Sequence, residues 1–228
     1  MTGLSGVEVR QRYATFLLSS TTSSYNSLSY KLSLRDLEEM MAGRGVHVDH
    51  STIHRWVVRH TPELEAEFRR RKKPVGESWR WDEMAIKVKG KLKWLYRAVD
   101  SDGDTIDFLL TARRDHKAAL RFLKKAVRQH GVPVKINTDK SGANAAGLEA
   151  FNDEYSTDVE LRQVKYLNNL IEQDHRRVRQ RTRPMLGYKT FMSAAKTIAG
   201  IEMMAMIKKG QIDIQGSTPF EKFYALAG

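Results

Sequence analysis

The hydrophobic periodicity changes near Trp79, and this change constrains the fold more than any other feature of the sequence. Before it, residues 33–60 carry apolar side chains at the three- and four-residue spacing of helices. After it, residues 79–111 alternate with the two-residue period of strands, interrupted by GK (90–91) and SDGD (101–104). Helical and strand patterns then alternate. The order β-β-β-α-β-α-β-α predicts an α/β fold, with a mixed sheet and helices on both faces, preceded by a small all-α part.

Two short helices joined by a glycine-containing turn are predicted between Ser33, a candidate N-cap, and Pro62. The first helix ends near GRG (43–45), and the second begins near residues 49–51. We interpret the pair as a helix-turn-helix, although an ordinary αα-hairpin has the same pattern. The second helix would then present five polar or basic side chains to the major groove of DNA: Ser51, Thr52, His54, Arg55 and Arg59.

Composition shifts divide the chain into four segments. Residues 1–32 are rich in Ser and Thr, and we expect them to be loop or poorly ordered, apart from a short helix over 7–18. Residues 33–68 hold the helix-turn-helix. Residues 69–78 begin with RRRKK and predict a basic linker, and residues 79–228 form the α/β domain.

The charge balance points to a polyanionic partner. The net charge is +12, from 39 basic and 27 acidic residues, which favours nucleic acid first and an anionic membrane surface second. The absence of cysteine excludes disulfides, thiolate metal sites and a Cys nucleophile. No apolar run is long enough for a transmembrane helix or a signal peptide, so we expect a cytoplasmic, nucleoid-associated protein without membrane contact.

Three acidic residues occupy places where a catalytic site can form. Asp82 lies inside the first strand, Asp139 follows a buried strand at a βα turn, and Glu172 lies on the helix after the last strand. Carboxylates that converge from such places bind hard cations, and oxygen-only ligation favours Mg²⁺ or Mn²⁺. Spacing alone does not select these three, because other acids compete: Glu83, Asp100, Asp115 and Asp174.

The segment YLNNLIEQDHRRVRQR (166–181) surrounds one of these acids with cations. On a helix, Glu172, Arg176 and Arg179 fall at i, i+4 and i+7, and therefore on one face. The pattern is typical of a surface ion-pair ladder. It is equally compatible with a metal-binding acid beside a strip that binds phosphate.

Several stretches together resemble the DDE transposases of the insertion-sequence-six group of bacterial mobile elements. The resemblance covers roughly residues 33–210. It is carried by the helix-turn-helix stretch at 33–57 and by four stretches of the α/β domain: WDEMAIKVKGKLKWLYRAVD, DFLLTARRDHKAALRFLKKA, INTDKSGAN and VKYLNNLIEQDHRRVR.

The resemblance implies a ribonuclease-H-like, integrase-like catalytic core in which Asp82, Asp139 and Glu172 are the catalytic triad and hold two Mg²⁺ (or Mn²⁺) ions. Arg179 takes the basic position of the extended signature, Arg176 follows the DNA backbone, and Lys165 and Asn168 border the site. The implied activity is binding of terminal inverted repeats, followed by cleavage and transfer of DNA strands into double-stranded target DNA, with a replicative or cointegrate outcome. Because two ends must be held at once, the resemblance implies a homodimer or a higher oligomer.

The chain also departs from the family pattern. The family usually has Asp-Glu-Thr and an aromatic where this chain has DEMA (82–85), and a Pro and Tyr where it has SGAN (141–144). A catalytically weak or domesticated transposase-derived DNA-binding protein is therefore the main alternative. A nuclease or junction resolvase on the same fold is a second one, and a zinc module built from His47, His50 and His54 is a third.

Overall fold

The computed structural model describes residues 19–139, 142–185 and 187–227. The N-terminal part is helical, with residues 19–29 as α1, followed by α2 (Leu34–Ala42) and α3 (His50–Arg70). The remaining elements are listed in chain order: β1 (Ser78–Val88), β2 (Lys91–Val99), β3 (Thr105–Thr111), α4 (His116–His130), β4 (Lys135–Thr138), α5 (Gly142–Tyr155), β5 (Glu160–Arg162), α6 (Asn169–Thr182), α7 (Phe191–Lys208) and α8 (Pro219–Ala227). Short 3₁₀ turns over Lys165–Asn168 and Arg183–Met185 flank α6.

The five strands form one mixed sheet in the order β3-β2-β1-β4-β5. The first three strands are antiparallel neighbours, as consecutive hairpins require, and β1, β4 and β5 are parallel. This order and these directions are the ribonuclease-H-like arrangement, so the predicted fold class is confirmed. The central position of β1 places Asp82 in the middle of the sheet.

Both faces of the sheet are covered, and the alternation of β1 explains how. Trp79 and Trp81 point into a core with α4 and α5, where Trp81 packs against Phe122 at a ring-centroid distance of 5.6 Å. Met84 and Ile86 point into the opposite core, which α3, α6, α7 and α8 complete. Strand β1 is therefore packed between two apolar layers.

Residues 19–29 form a helix, which corrects the expectation of a loop or poorly ordered segment for this stretch. Tyr25 and Leu28 are buried in the core beneath α7, and this burial outweighs the weak helix propensity of the serines. Gly200 allows the close approach, because a Cβ atom there would lie 2.7 Å from Leu28 Cδ2. The helix predicted over 7–18 lies outside the described residues.

Helix α3 continues past Pro62 and ends at Arg70, whereas the sequence predicted that it stops at the proline. A proline inside a helix removes one backbone hydrogen bond. Burial of Leu64 and Phe68 beyond it offsets that cost, since Phe68 is fully buried in the core beneath the sheet. The boundary expected at residues 68–69 falls in the last turn of α3, and the four-segment division stays a prediction.

Helix α7 is buried on most sides, including the charged Glu202, which is 0% exposed. A helix that is apolar nearly all round belongs to the interior of a domain. Among the residues that the structure describes, neither α7 nor any other helix has the length and apolar character needed to cross a membrane.

Arg97 on β2 fixes α6 against the sheet. Its guanidinium is fully buried and donates to Glu202 on α7, from Nε at 2.6 Å and from Nη2 at 2.8 Å. It also donates to Asp174 on α6, whose other oxygen lies 2.8 Å from Lys209 Nζ. Burial alone would raise the pKa of Asp174, but Arg97 and Lys209 hold it below its ordinary value.

We expect Arg97→Met to lower the free energy of unfolding by roughly 3–5 kcal/mol, because two carboxylates are left buried without their guanidinium. Chemical denaturation measures the change. Arg162→Met is the matched control, because Arg162 forms an exposed pair with Glu160 and its loss should leave unfolding nearly unchanged. Equal effects of the two substitutions would contradict a supporting role for Arg97.

Candidate active site

Strand pairing brings two of the predicted acids to adjacent places. Asp82 lies on β1 opposite Arg97 of β2. On the other side of β1, the parallel strand β4 pairs Trp81 with its last residue, Thr138. Asp139 therefore leaves the sheet beside Asp82, at the carboxyl end of β4, where α/β folds collect ligands.

Glu172 reaches the same region from α6, which the Arg97 network holds over this face of the sheet. A polar cleft of about 560 Å³ lies between the strand and the helix. Eight residues line it: Asp82, Glu83, Asn169, Glu172, Gln173, His175, Arg176 and Arg179. Asp139 is not among these lining residues but acts on the cleft electrostatically.

The field at Asp82 is strongly negative. Burial is the largest cause that raises the pKa of Asp82, and a backbone hydrogen bond that involves Glu83 opposes it. The negative charges of Glu83, Asp139 and Glu172 also raise it, and together these effects bring the pKa to about 7. A carboxyl group in these surroundings ionises fully only when positive charge is supplied nearby.

The side chains do not form a closed ligand set in this arrangement. Among the described residues, no three His, Asp or Glu side chains meet as a group that could hold a metal ion. The same finding covers the histidines of α3 and the loop before it, and His50 lies instead 3.0 Å from Glu38. The described residues thus give the zinc alternative no support. The acids around Asp82 influence one another electrostatically, but their side chains are not arranged to coordinate one ion.

His175 is a site residue that the sequence did not single out. It is 3% exposed, and its Nδ1 lies 3.6 Å from Asp82 Oδ2. Burial and the nearby Arg97 and Arg179 lower the pKa of His175 to about 3, so the ring is neutral at neutral pH. Its position three residues after Glu172, one helical turn on, was the signal available in the sequence.

A second missed cluster lies on the other side of β1. Glu83 pairs with Arg114 Nε and accepts a hydrogen bond of 2.9 Å from Asn144 Nδ2 on α5. Arg114 Nη2 also lies 3.7 Å from Asp139 Oδ2. The sequence offers Glu83 only as a competitor of Asp82, because the partners of Glu83 are distant in sequence.

The predicted DNA-contacting residues near the cleft differ in exposure. Lys165, Arg176 and Arg179 are exposed, and the two arginines line the cleft beside Glu172. Asn168 is 4% exposed, and its amide oxygen accepts from Asn137 on β4. Its side chain therefore ties the turn before α6 to the sheet.

The residues predicted to face DNA from α3 lie on its first turns. Ser51, Arg55 and Arg59 are exposed, and Thr52 and His54 are half-buried. Asp49 caps the helix by accepting from the backbone N–H groups of Ser51 and Thr52. Leu37 on α2 packs against Ile53 and Trp56, so the two helices present this face together.

Comparisons with known proteins find a matching family model and similar curated proteins. A family model described as a DDE domain matches residues 76–211. The transposase of insertion sequence element IS257 in transposon Tn4003 from Staphylococcus aureus is 39% identical over 191 residues, which cover 82% of this chain and 84% of that protein. The transposase of the insertion sequence-like element IS431mec, from the same species, matches with the same identity and coverage.

Solved structures with a similar chain path include retroviral integrase cores. The HTLV-2 integrase catalytic core domain in complex with magnesium has a TM-score of 0.45 and 16% identity, covering 67% of this chain and 99% of that one. The catalytic core domain of BIV integrase has a TM-score of 0.45 and 15% identity, covering 65% and 94% of the two chains. The family model and the staphylococcal relatives confirm the resemblance seen in the sequence: the chain belongs to the DDE transposases of the insertion-sequence-six family, and is a polynucleotidyl transferase of insertion-sequence DNA.

Proposed function

We propose that Asp82, Asp139 and Glu172 are the catalytic triad of this transposase and bind two divalent cations, Mg²⁺ or Mn²⁺. The observation that carries the proposal is the raised pKa of Asp82, to which the charges of Asp139 and Glu172 both contribute. These residues come from a central strand, a neighbouring strand end and a helix, 57 and 33 positions apart in sequence (139 − 82 and 172 − 139). Only the fold brings them into one field.

The donor set fits such a cation in its chemistry. Carboxylate oxygens are the ligands that Mg²⁺ and Mn²⁺ prefer, and the His175 Nδ1 atom lies beside them, 3.6 Å from Asp82 Oδ2. Rotation of the side chains about χ1 and χ2 is needed to close the set, since the acids do not yet meet as ligands. When bound, two such ions supply Lewis acidity and neutralise charge at the attacking and leaving oxygens of a phosphodiester.

The remaining groups of the chain prepare the cleft for a polyanion. Arg176 and Arg179 stand one and two turns after Glu172 on its face of α6, where they contact phosphates of the strand to be cut. The ring of His175 lies beside Asp82 and is neutral at neutral pH, so it forms no ion pair with the Asp82 carboxylate. The chemistry uses water and a DNA 3′-hydroxyl as nucleophiles, so the chain needs no covalent nucleophile of its own.

The exposed face of α3 binds the terminal inverted repeats in this proposal. Ser51, Arg55 and Arg59 face solvent together, with Thr52 and His54 beside them at the start of the helix. Lys165 extends the basic surface next to the catalytic cleft. Cleavage followed by strand transfer into target DNA requires two ends, so the acting form in this proposal is a homodimer or a larger assembly. The family resemblance implies in addition a replicative outcome of the cointegrate type.

Substitution of the triad tests the proposed site. Asp82→Asn, Asp139→Asn and Glu172→Gln should each lower Mg²⁺-dependent cleavage of a DNA end of the element by a factor on the order of 10³ or more. Gel assays with purified protein measure the rate. Glu149→Gln, an exposed acid on α5, is the control and should cleave normally.

Cleavage that survives Asp139→Asn would remove the site assignment. Binding of the DNA end without cleavage by the unsubstituted protein would favour the alternative, a catalytically weak or domesticated DNA-binding derivative.

Substitution on α3 tests the proposed reading of the repeats. The double variant Arg55→Ala and Arg59→Ala should bind the repeat more weakly and lower the slope of log K against log salt by about 2, since two phosphate-facing cations are lost. Titrations by fluorescence anisotropy between about 50 and 200 mM salt measure the slope. Lys91→Ala removes an exposed cation at the start of β2 and is the control. An unchanged slope in the double variant would count against α3 as the recognition helix.

A further inference from the structure

Glu83 follows Asp82 on β1 and borders the cleft, but its buried carboxylate contacts Arg114 and Asn144. Its side chain is 0% exposed, and the alternation of β1 directs it toward α5, whereas Asp82 faces α6. A carboxylate in such surroundings is strongly destabilised unless positive charge and hydrogen-bond donors are supplied. The partners of Glu83 therefore matter more than its sequence position.

One hydrogen bond and one ion pair compensate the Glu83 charge, and the hydrogen bond connects Glu83 to the strand that leads to Asp139. Asn144, at the start of α5, donates from one amide nitrogen to Glu83 Oε2 at 2.9 Å and to Thr138 Oγ1 at 3.0 Å. Arg114 pairs through Nε with Glu83 Oε1. Thr138 is the residue before Asp139, so Glu83, Asn144 and Thr138 form one continuous network up to the site.

Arg114 stands between two carboxylates. Its Nη2 lies 3.7 Å from Asp139 Oδ2, while its Nε contacts Glu83. The guanidinium also packs over the ring of Trp94, with 5.2 Å between Cζ and the ring centroid. A single cation that reaches both acids can pair with either one, and the balance between them decides how strongly Arg114 competes with another cation for Asp139.

The environment tilts this balance toward Glu83. The Glu83 side chain is fully buried, whereas that of Asp139 is 44% exposed and its charge is screened by water. An ion pair is stronger where the dielectric is low, so Arg114 gains more by pairing with Glu83. Asp139 is the other carboxylate that Arg114 reaches, so removal of the Glu83 charge would leave Arg114 to pair with Asp139.

We infer that Glu83 is a positioning residue that holds Arg114 away from Asp139 and so keeps the Asp139 carboxylate available to a divalent cation. This inference rests on the proposed function, because it takes Asp139 as a cation ligand. In this account Glu83 binds no cation itself, and Arg114 acts as a competitor that Glu83 restrains.

Mn²⁺ binding to the full chain in the absence of DNA tests the inference, measured by electron paramagnetic resonance of the free ion. Glu83→Gln keeps the shape of the side chain and an acceptor for Asn144 but loses the charge that holds Arg114. It should weaken Mn²⁺ binding by about tenfold, since Arg114 then pairs with Asp139. The double variant Glu83→Gln with Arg114→Gln removes the competitor as well and should return affinity to within about twofold of the unsubstituted protein.

The double variant distinguishes the inference from a merely structural role. If Arg114 and Glu83 only supported the fold around Asp139, removing both would weaken Mn²⁺ binding at least as much as removing one. Unchanged binding by Glu83→Gln, or no recovery in the double variant, would each overturn the inference. Glu154→Gln, which removes the carboxylate of an exposed pair with Lys124, is the matched control and should bind normally.

Two further variants keep the result interpretable. Arg114→Lys retains a charge for Glu83 in a side chain with a single charged nitrogen, and should bind Mn²⁺ at least as well as the unsubstituted protein. Weaker binding by Arg114→Lys would overturn the inference even if Glu83→Gln fails to fold. Asp139→Asn tests the proposed function separately, because normal Mn²⁺ binding by Asp139→Asn would contradict the proposed site. If Asp139→Asn loses Mn²⁺ binding and Glu83→Gln binds normally, the proposed site stands and only the inference about Glu83 is overturned.

Discussion

Negative charge gathered around one half-buried carboxyl group is the constraint on which the rest of the structure depends. Asp82 lies in the middle strand of the sheet, where burial and the charges of Glu83, Asp139 and Glu172 oppose its ionisation. Such an arrangement costs stability, and the fold tolerates it because two apolar cores hold β1 from both sides. The cost is useful, because the same negative field that disfavours loss of the Asp82 proton attracts a cation strongly.

Two buried ionic networks hold the site from opposite faces of the sheet. On one face, Arg97 joins α6 to α7 through Asp174 and Glu202, and this fixes the helix that carries Glu172. On the other face, Glu83 and Asn144 join β1 to the end of β4 and thereby position Asp139. Both networks pair buried charges on the elements that carry the predicted acids.

Periodicity predicted the strands, the helices and their layering, because the change from helical to strand spacing at Trp79 is local information. It misjudged Pro62 and residues 19–29, where burial of Phe68 and Leu28 in a distant core outweighs local preference. The three acids could be named only through the family resemblance, since spacing did not choose among them. His175 and Arg114 were missed because their contacts with Asp82 and Asp139 are made by folding and leave only weak traces in sequence.

The central claim is that burial and neighbouring acids hold the pKa of Asp82 near 7 in the folded chain. This folded pKa lies above the unfolded value. The contribution of protonated Asp82 to the free energy of unfolding is therefore complete below about pH 4 and is lost as the pH rises through about 7. The test is the free energy of unfolding of the unsubstituted protein and of Asp82→Asn in metal-free buffer from about pH 5 to about pH 8. The account predicts that the variant becomes the more stable protein with rising pH, by on the order of 2–4 kcal/mol at the upper end. Parallel pH profiles for the two proteins would contradict it.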